Sequence, residues 1–398
     1  MNTIYFTLTD TLPAGSTRDF ILPLPHDTLH DELTRAGYDE TDEIMNIRVF
    51  SGLYGLNEHL LRLAHVNVDE LNQFALRFLE MTDEQTDRYD AYLSLRASGR
   101  EMMDLRELYK ATHELHRCRL IPDIYSDKQY GKYLFRDNML DEELAALPES
   151  VKKLLDRGAI GAQRRKAEKG VYTRHGYAWR PEWPEQTSIQ APEPGEKPDY
   201  VYILELARYD GDAGKIDEAN RSLLTIPYTE DELQQSLEAI GAGSPADCFY
   251  HCLFSISPEA AGLLQDMDGD FERINELSKA IRLIDPQYMP VFKAMLEASR
   301  CTCIDQAAEL LDRFEDFTLD PGQAAAVSHF SSYLKDQYEH IPTKGRGPDS
   351  SGAFVERQTK HCDSAATRYG ILKAENGPIP CYGLVDNGEG PSKPKLSL

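Results

Sequence analysis

The chain contains no apolar run of about eighteen residues, the length a membrane-spanning helix needs. Its opening, MNTIYFTLTD, lacks the basic start and apolar core of a secretory signal. Cysteine is scarce and lopsided. Of seven, only Cys118 lies in the first half; Cys248, Cys252, Cys301, Cys303, Cys362 and Cys381 follow. An odd number without a secretion signal suggests reduced thiols, so a cytoplasmic location is expected. Positive charge is also short: 43 Lys and Arg face 67 Asp and Glu, for a net charge of −24. Nucleic acid and anionic membrane are poor partners for such a field, and a basic protein surface is a good one.

Catalytic signatures are missing as well. There is no G-x-S-x-G, no G-x-G-x-x-G after a strand and no kinase set. TKGRGPDSSG has glycines without phosphate-loop order. HELHRC places His113, His116 and Cys118 close together. A zinc protease needs its histidines four apart with glutamate beside the first, so these read as small or partly buried side chains. CTC and CFYHC lack a second cysteine pair at zinc-ribbon spacing. DMDGDFE sets Asp266, Asp268 and Asp270 at the first three positions of a calcium loop. Phe271 then stands where glycine is needed and Leu277 where the bidentate glutamate is needed. An exposed acidic turn is the ordinary reading. Aromatic residues are interleaved with acids, the wrong company for stacking on nucleic acid. No enzyme activity, metal or cofactor is expected.

What the chain does have is length for two or three domains and enough apolar residues, 41%, to pack them. Its acidity comes in blocks. Residues 1–150 carry 28 acids and 15 bases, and residues 201–350 carry 27 and 12. Between and after them, residues 151–200 (7 acids, 10 bases) and 351–398 (5 and 6) are weakly basic.

The two blocks share a frame. VDELNQFALRFLEM (68–81) returns as FERINELSKAIRLI (271–284). Leu71, Asn72, Ala75 and Phe78 correspond to Ile274, Asn275, Ser278 and Ile281, with the apolar members on one helical face. Further helices follow each copy, DEQTDRYDAYLSL matching PQYMPVFKAMLEA and MDLRELYKATHELHRCRLIP matching IDQAAELLDRFEDFTLDP. YGKYL then pairs with FSSYL. Before the repeated phrase, YVYILELARYDGDAGKIDEANRSLLTIP reads as two strands around a glycine-containing turn. Thr229 and Glu232 then form a capping box and Gly241 stops the helix. IYFTLTDTLPAGSTRDFILPLPHDTLHDELTRAG stands in the same place, with Pro25 set against Pro227 and Gly37 against Gly241. Near the ends, Gly158 and Gly176 pair with Gly352 and Gly370. The expected organisation is a tandem duplication: a first unit over 1–180, a proline-rich linker over 181–199, a second unit over 200–382 and a loose tail over 383–398. The expected fold class is α+β and elongated. Each helix-rich unit has a small N-terminal antiparallel sheet, a helical middle and a short strand-containing end.

The landmarks DELNQFALRFLEMTDEQ and DLRELYKATHELHRCRLIPDIYSDKQYGKYL resemble the ArdA-type antirestriction family, in its branch carried on conjugative elements of Gram-positive bacteria. Asn72, Pro122, Asp127, Gly131 and Tyr133 hold the positions of that pattern. The resemblance implies an elongated acidic mimic of B-form DNA, cytoplasmic and without catalysis, that occupies the DNA groove of type I restriction–modification enzymes. The implied partners are DNA-binding proteins with basic grooves rather than nucleic acid or membrane. The chain departs from the family where the family's third region is acidic. Residues 152–169 here hold Arg164, Arg165 and Lys166, and a basic patch cannot imitate phosphate. The family forms homodimers, so the duplication implies a pseudo-dimer within one chain or a homodimer.

The acids expected to carry the mimicry lie on helices and turns: Asp39, Glu40, Asp42, Glu43, Asp83, Glu84, Asp87, Asp90, Asp141, Glu142 and Glu143 in the first unit, and Asp266, Asp268, Asp270, Glu272, Asp312, Glu315 and Asp316 in the second. Singly each reads as a solvated surface residue; only a phosphate-spaced row is functional. Two alternatives stand beside this reading. One is a noncatalytic accessory protein of a mobile element that keeps the fold without the mimicry. The other is a hydrolase with an unfamiliar site.

Overall fold

The computed structural model describes residues 4–9, 17–38, 47–63, 66–137, 139–181, 189–210, 215–267, 270–320 and 363–382. Mixed helices and small antiparallel sheets make up the fold. The first half runs β1 (Ile4–Thr9), β2 (Thr17–Leu22), α1 (His26–Arg35), β3 (Ile47–Ser51), α2 (Tyr54–Leu60), α3 (Val68–Leu79), α4 (Asp83–Ser98) and α5 (Leu105–Ala111). A 3-10 turn (Leu115–Arg117) leads into β4 (Arg119–Pro122), α6 (Asp127–Arg136), α7 (Glu142–Ala145), α8 (Glu149–Lys152), α9 (Arg157–Glu168), β5 (Val171–Thr173) and β6 (Gly176–Trp179). The second half runs β7 (Tyr202–Asp210), β8 (Lys215–Ile226), α10 (Glu230–Ile240), β9 (Cys248–Ser255), α11 (Pro258–Leu263), α12 (Phe271–Leu283), α13 (Met289–Ser299) and α14 (Ile304–Asp312). It closes with a 3-10 turn (Phe314–Asp316), β10 (Phe317–Asp320), β11 (Ser364–Thr367) and β12 (Gly370–Ala374).

The order of elements recurs. Strand orders β2-β1-β3 and β8-β7-β9 match, as do β4-β6-β5 and β10-β12-β11. Thr173 Oγ1 donates to Gly176 O at 3.0 Å and Thr367 Oγ1 to Gly370 O at 2.8 Å. Both glycines sit at positive φ, +135° and +141°. A side chain at Gly176 would place its Cβ 2.1 Å from Ile121 O, so the tight turn against β4 requires glycine. One detail of the expected alignment shifts. Pro227 directly follows β8 as Pro23 follows β2, so its counterpart in the frame of elements is Pro23, not Pro25. FSSYL and Gly352 lie outside the described residues.

Compactness divides the chain elsewhere, into Met1–Ala261 and Gly262–Leu398. The sheet β8-β7-β9 therefore belongs with the first helical middle. One face is covered by α10, whose Ser236 hydroxyl donates to Leu223 O at 3.2 Å. The other meets α3, α4 and β4. There Arg77 Nη1 donates to Ser255 O at 2.9 Å and its guanidinium lies 4.2 Å from the Phe254 ring centre. With both faces covered, β7 reads as a nearly unbroken apolar run. Its one acid in the covered stretch, Glu205, is buried and accepts from Arg119 and from Arg221 Nη1 at 2.8 Å. The proline-rich stretch returns along α5: Glu193 pairs with Lys110 at 2.5 Å and Tyr200 OH meets His113 Nδ1 at 2.9 Å.

Helix starts follow local chemistry. Capping boxes open α4 (Thr82, Gln85), α5 (Asp104, Glu107) and α10 (Thr229, Glu232), and Gly241 at φ +69° closes α10. No described helix is long and apolar enough to cross a membrane.

Candidate acidic interaction surface

The expected acids separate into groups. Asp83, Glu84 and Asp87 are exposed at the amino end of α4. Glu84 lies 3.2 Å from His251 Nε2. Burial, aided by nearby Arg88, pushes His251 down to about 3. The imidazole is thus neutral at pH 7 and brings no cation to this acidic end of the helix. Asp87 lies 3.0 Å from His175 Nδ1.

Asp90 is a correction. It is 1% exposed, although it sits seven residues beyond Asp83 on the same helical face. That face is open only at its first turns. Farther along, α2 and the turn between β5 and β6 cover it. Asp90 Oδ1 accepts from Gly55 N at 2.6 Å and Leu56 N at 3.3 Å, and Oδ2 lies 3.1 Å from Arg174 Nε and 2.8 Å from His175 Nε2. It anchors the start of α2, which carries no side-chain cap of its own. The approach is close enough that a Cβ at Gly55 would meet Asp90 O at 2.3 Å.

Asp141 and Glu143 are exposed, but Asp141 is ion-paired to Arg164 at 2.6 Å. In the second half Asp270 is exposed and caps α12 through Arg273 N at 3.3 Å; Glu272 is exposed beside it. Asp312 and Glu315 are exposed, and Asp316 is half-buried, accepting from Asn376 Nδ2 at 3.0 Å. Asp39, Glu40, Asp42, Glu43 and Asp268 lie outside the described residues, as do the side chains of Glu142 and Asp266.

Sequence reasoning passed over α10 and saw only the end of α14. On α10, Glu230, Asp231, Glu232 and Glu238 are exposed, and the helix holds no Lys, Arg or His. On α14, Asp305, Glu309 and Asp312 are exposed, again without a basic residue in the helix, although Arg273 pairs with Asp305. Glu315 continues that acidic edge in the 3-10 turn that follows. The signal was present in the sequence: a helix without cations offers its acids no partner within its own length. The 11 residues of α10 span about 16.5 Å. Its four exposed carboxylates are bunched: Glu230, Asp231 and Glu232 span about 3 Å of axis in the first turn, and Glu238 stands about 9 Å farther on.

Two arginines of the basic segment are consumed internally. Arg164 Nε pairs with Glu168 at 2.7 Å, and Arg165 Nε with Asp127 at 2.7 Å. The hydroxyls of Tyr130 and Tyr177 donate to Glu168 Oε2 at 2.7 and 2.6 Å, and Tyr172 OH donates to Asp127 at 2.7 Å. Arg165 and Tyr172 hold the Asp127 carboxyl below its ordinary range. These contacts lock α9 onto α6, where Gly131 and Gly161 permit backbone approach; a Cβ on either would meet a carbonyl at 1.8 or 2.0 Å. Asp127, Gly131 and Tyr133 are thus structural here, with Tyr133 packed on the core of Ile124, Tyr130, Leu134 and Tyr177.

His113, His116 and Cys118 are buried, as read from the sequence. His113 stacks 4.5 Å from Phe254. Burial pushes His116 down to about 4 and the Cys118 thiol up to about 12. Neutral and inaccessible, they form no reactive group. The six described cysteines are free.

No protein-family model matches this chain. No curated protein matches it either.

Proposed function

We propose that this protein is an antirestriction protein, a noncatalytic acidic mimic of B-form DNA that occupies the DNA-binding groove of type I restriction–modification enzymes. The observation that carries the reading is the division of charge. Arg164 and Arg165 of the segment 152–169 are spent on internal carboxylates, while α10 and α14 present exposed acids with no cation in either helix. A net charge of −24 equals that of about 40 Å of duplex, at one charge per roughly 1.7 Å. Binding then replaces DNA on a basic groove and is fast and salt-sensitive. The ArdA-type pattern over 69–134 supports the same partner class.

We further propose that the repeated order of elements is a tandem duplication, placing two family-like units in one chain as a pseudo-dimer. Matching strand orders and the paired Thr-x-x-Gly turns support it. Light scattering would give one chain per particle; a stable two-chain particle counts against the pseudo-dimer.

The deciding experiment is ATP-dependent cleavage by a purified type I enzyme across a salt series. Inhibition at low salt that fades as salt rises is expected. Absence of inhibition, together with no salt-sensitive capture of the enzyme, would overturn the proposal.

A further inference from the structure

On α1, His26 and His30 are one turn apart, and Asp69 in the first turn of α3 reaches the same point. One ligand atom from each lies within 4.8 Å of the other two. His30 Nε2 and Asp69 Oδ1 are 3.1 Å apart. Donors on a tetrahedral zinc at about 2.0–2.2 Å stand about 3.3 Å from each other, so this pair already spans one edge of a coordination tetrahedron. The His26 side chain is 73% exposed, and its ring centre lies 4.2 Å from that of His30. Rotation about its own side-chain bonds can bring it in without moving backbone.

The second donor is held, not loose. His30 is largely buried, with its side chain 13% exposed. Nε2 carries the proton that now faces the Asp69 carboxylate, and Nδ1 has no hydrogen-bond partner among the described residues, so moving the proton to Nδ1 frees the Nε2 lone pair for a metal without breaking another contact. The frame beneath is rigid. Asn72 on α3 clamps Leu24, the residue two before His26, accepting from Leu24 N at 2.8 Å and donating to Leu24 O at 2.7 Å. Nearby charge favours a cation. Asp27 lies 3.5 Å from His26 Nδ1, and Arg106 on the neighbouring α5 is engaged by Glu70 at 2.6 Å.

We propose that His26, His30 and Asp69 bind a divalent transition-metal ion, with Zn2+ the best fit and at least one coordination position left to solvent. Two imidazoles and one carboxylate suit zinc and its neighbours and are wrong for calcium or magnesium, which take oxygen donors. The bound ion ties α1 to α3, and so the N-terminal sheet to the helical middle. The proposal is independent of the antirestriction reading.

The test uses the full chain stripped with a chelator. Co2+ is titrated for its ligand-field absorption, and Zn2+ is titrated by calorimetry. The expected result is one ion per chain, a tetrahedral Co2+ spectrum and an affinity lowered about tenfold or more in His26→Gln and in Asp69→Asn. His26→Gln changes an exposed side chain, so an unchanged far-UV spectrum confirms that it folds. The proposal is overturned if the wild type takes up no Zn2+. It is equally overturned if both variants bind as tightly as the wild type, which would place the ion elsewhere on the chain.

Discussion

The sheets β2-β1-β3 and β8-β7-β9 have the same strand order and antiparallel pairing but different surroundings. Register aligns them: Ile4 faces Leu22 as Tyr202 faces Ile226, so Thr7 stands where Glu205 stands. Thr7 donates to Asp19 Oδ1 at 2.7 Å on an exposed surface. Glu205 is 1% exposed and held by Arg119 and Arg221, with Arg88 close by. Tyr5 is 39% exposed where its counterpart Ile203 is wholly buried. The same frame thus supports two uses of charge. Where helices and β4 cover the sheet, a carboxylate must bring its own cations. Where a face meets water, it need not.

The largest break in this comparison comes from Glu205→Gln. It leaves buried guanidiniums without their anion and should cost about 3–5 kcal/mol. Thr7→Val at the matching place should cost less than about 0.5 kcal/mol. Urea unfolding followed by tryptophan fluorescence reads both, because Trp179 and Trp183 lie within Met1–Ala261. Equal losses at the two sites would show that the covered face contributes nothing special.

Acid should strike the covered sheet next. His116 sits against it and His251 lies within its strand β9, pushed down to about 4 and about 3 by burial. Unfolded, each takes a proton near its ordinary value of about 6.5. The unfolded chain therefore binds more protons as pH falls below about 6.5, and stability drops with it. By pH 5 the loss is roughly 2 kcal/mol per histidine. Glu205 acts lower. Burial pushes its carboxyl up, but Arg119, Arg221 and Arg88 outweigh burial and leave it below the ordinary range. Its contribution is present above the unfolded glutamate value of about 4.3 and fades as pH falls through the folded one. A stability curve flat from pH 7 to 5 would contradict the neutral burial of both histidines.

Much of this fold was legible from residue spacing. The phrases at 68–81 and 271–284 are helices, Thr229 and Gly241 bound α10, and Gly176 and Gly370 make the same turn. Local chemistry sets such features, so local reading finds them. What lay hidden was tertiary. Nothing in the spacing of Asp83, Asp87 and Asp90 says that α2 and the Arg174–His175 turn cover the last of them. Nothing in the run of bases at 164–166 says that Glu168, Asp127 and Asp141 await two of them. The compact body also extends to Ala261, past the proline-rich segment, because β7 and β9 carry the partners for Arg77 and Arg119. Asp90→Asn tests the hidden contact directly. Asn keeps an acceptor for Gly55 and Leu56 but loses the charge facing Arg174, so a cost of about 1–2 kcal/mol is expected. A neutral outcome by urea unfolding would return Asp90 to the ranks of surface acids.

The smallest effect on stability should accompany the largest effect on partner binding. Glu309→Gln, Asp312→Asn and Glu315→Gln together remove three exposed charges from α14 and the turn after it without touching a helix cap. The acids of α10 are less suited to this test, because Glu232 closes its capping box and Glu230 and Asp231 complement its amino end. Surface changes such as these three move stability by less than about 0.5 kcal/mol. They also relieve repulsion between acids three residues apart, so the sign can favour the variant. If charge outside this fold serves a partner as charge inside serves the sheet, inhibition of a type I enzyme should weaken about tenfold and its salt dependence should flatten. Counterion release links the two, since each anion removed is one fewer exchanged on the basic groove. Inhibition retained at full strength with the original salt slope would place the working surface elsewhere on the chain, with α10 the next helix to neutralise.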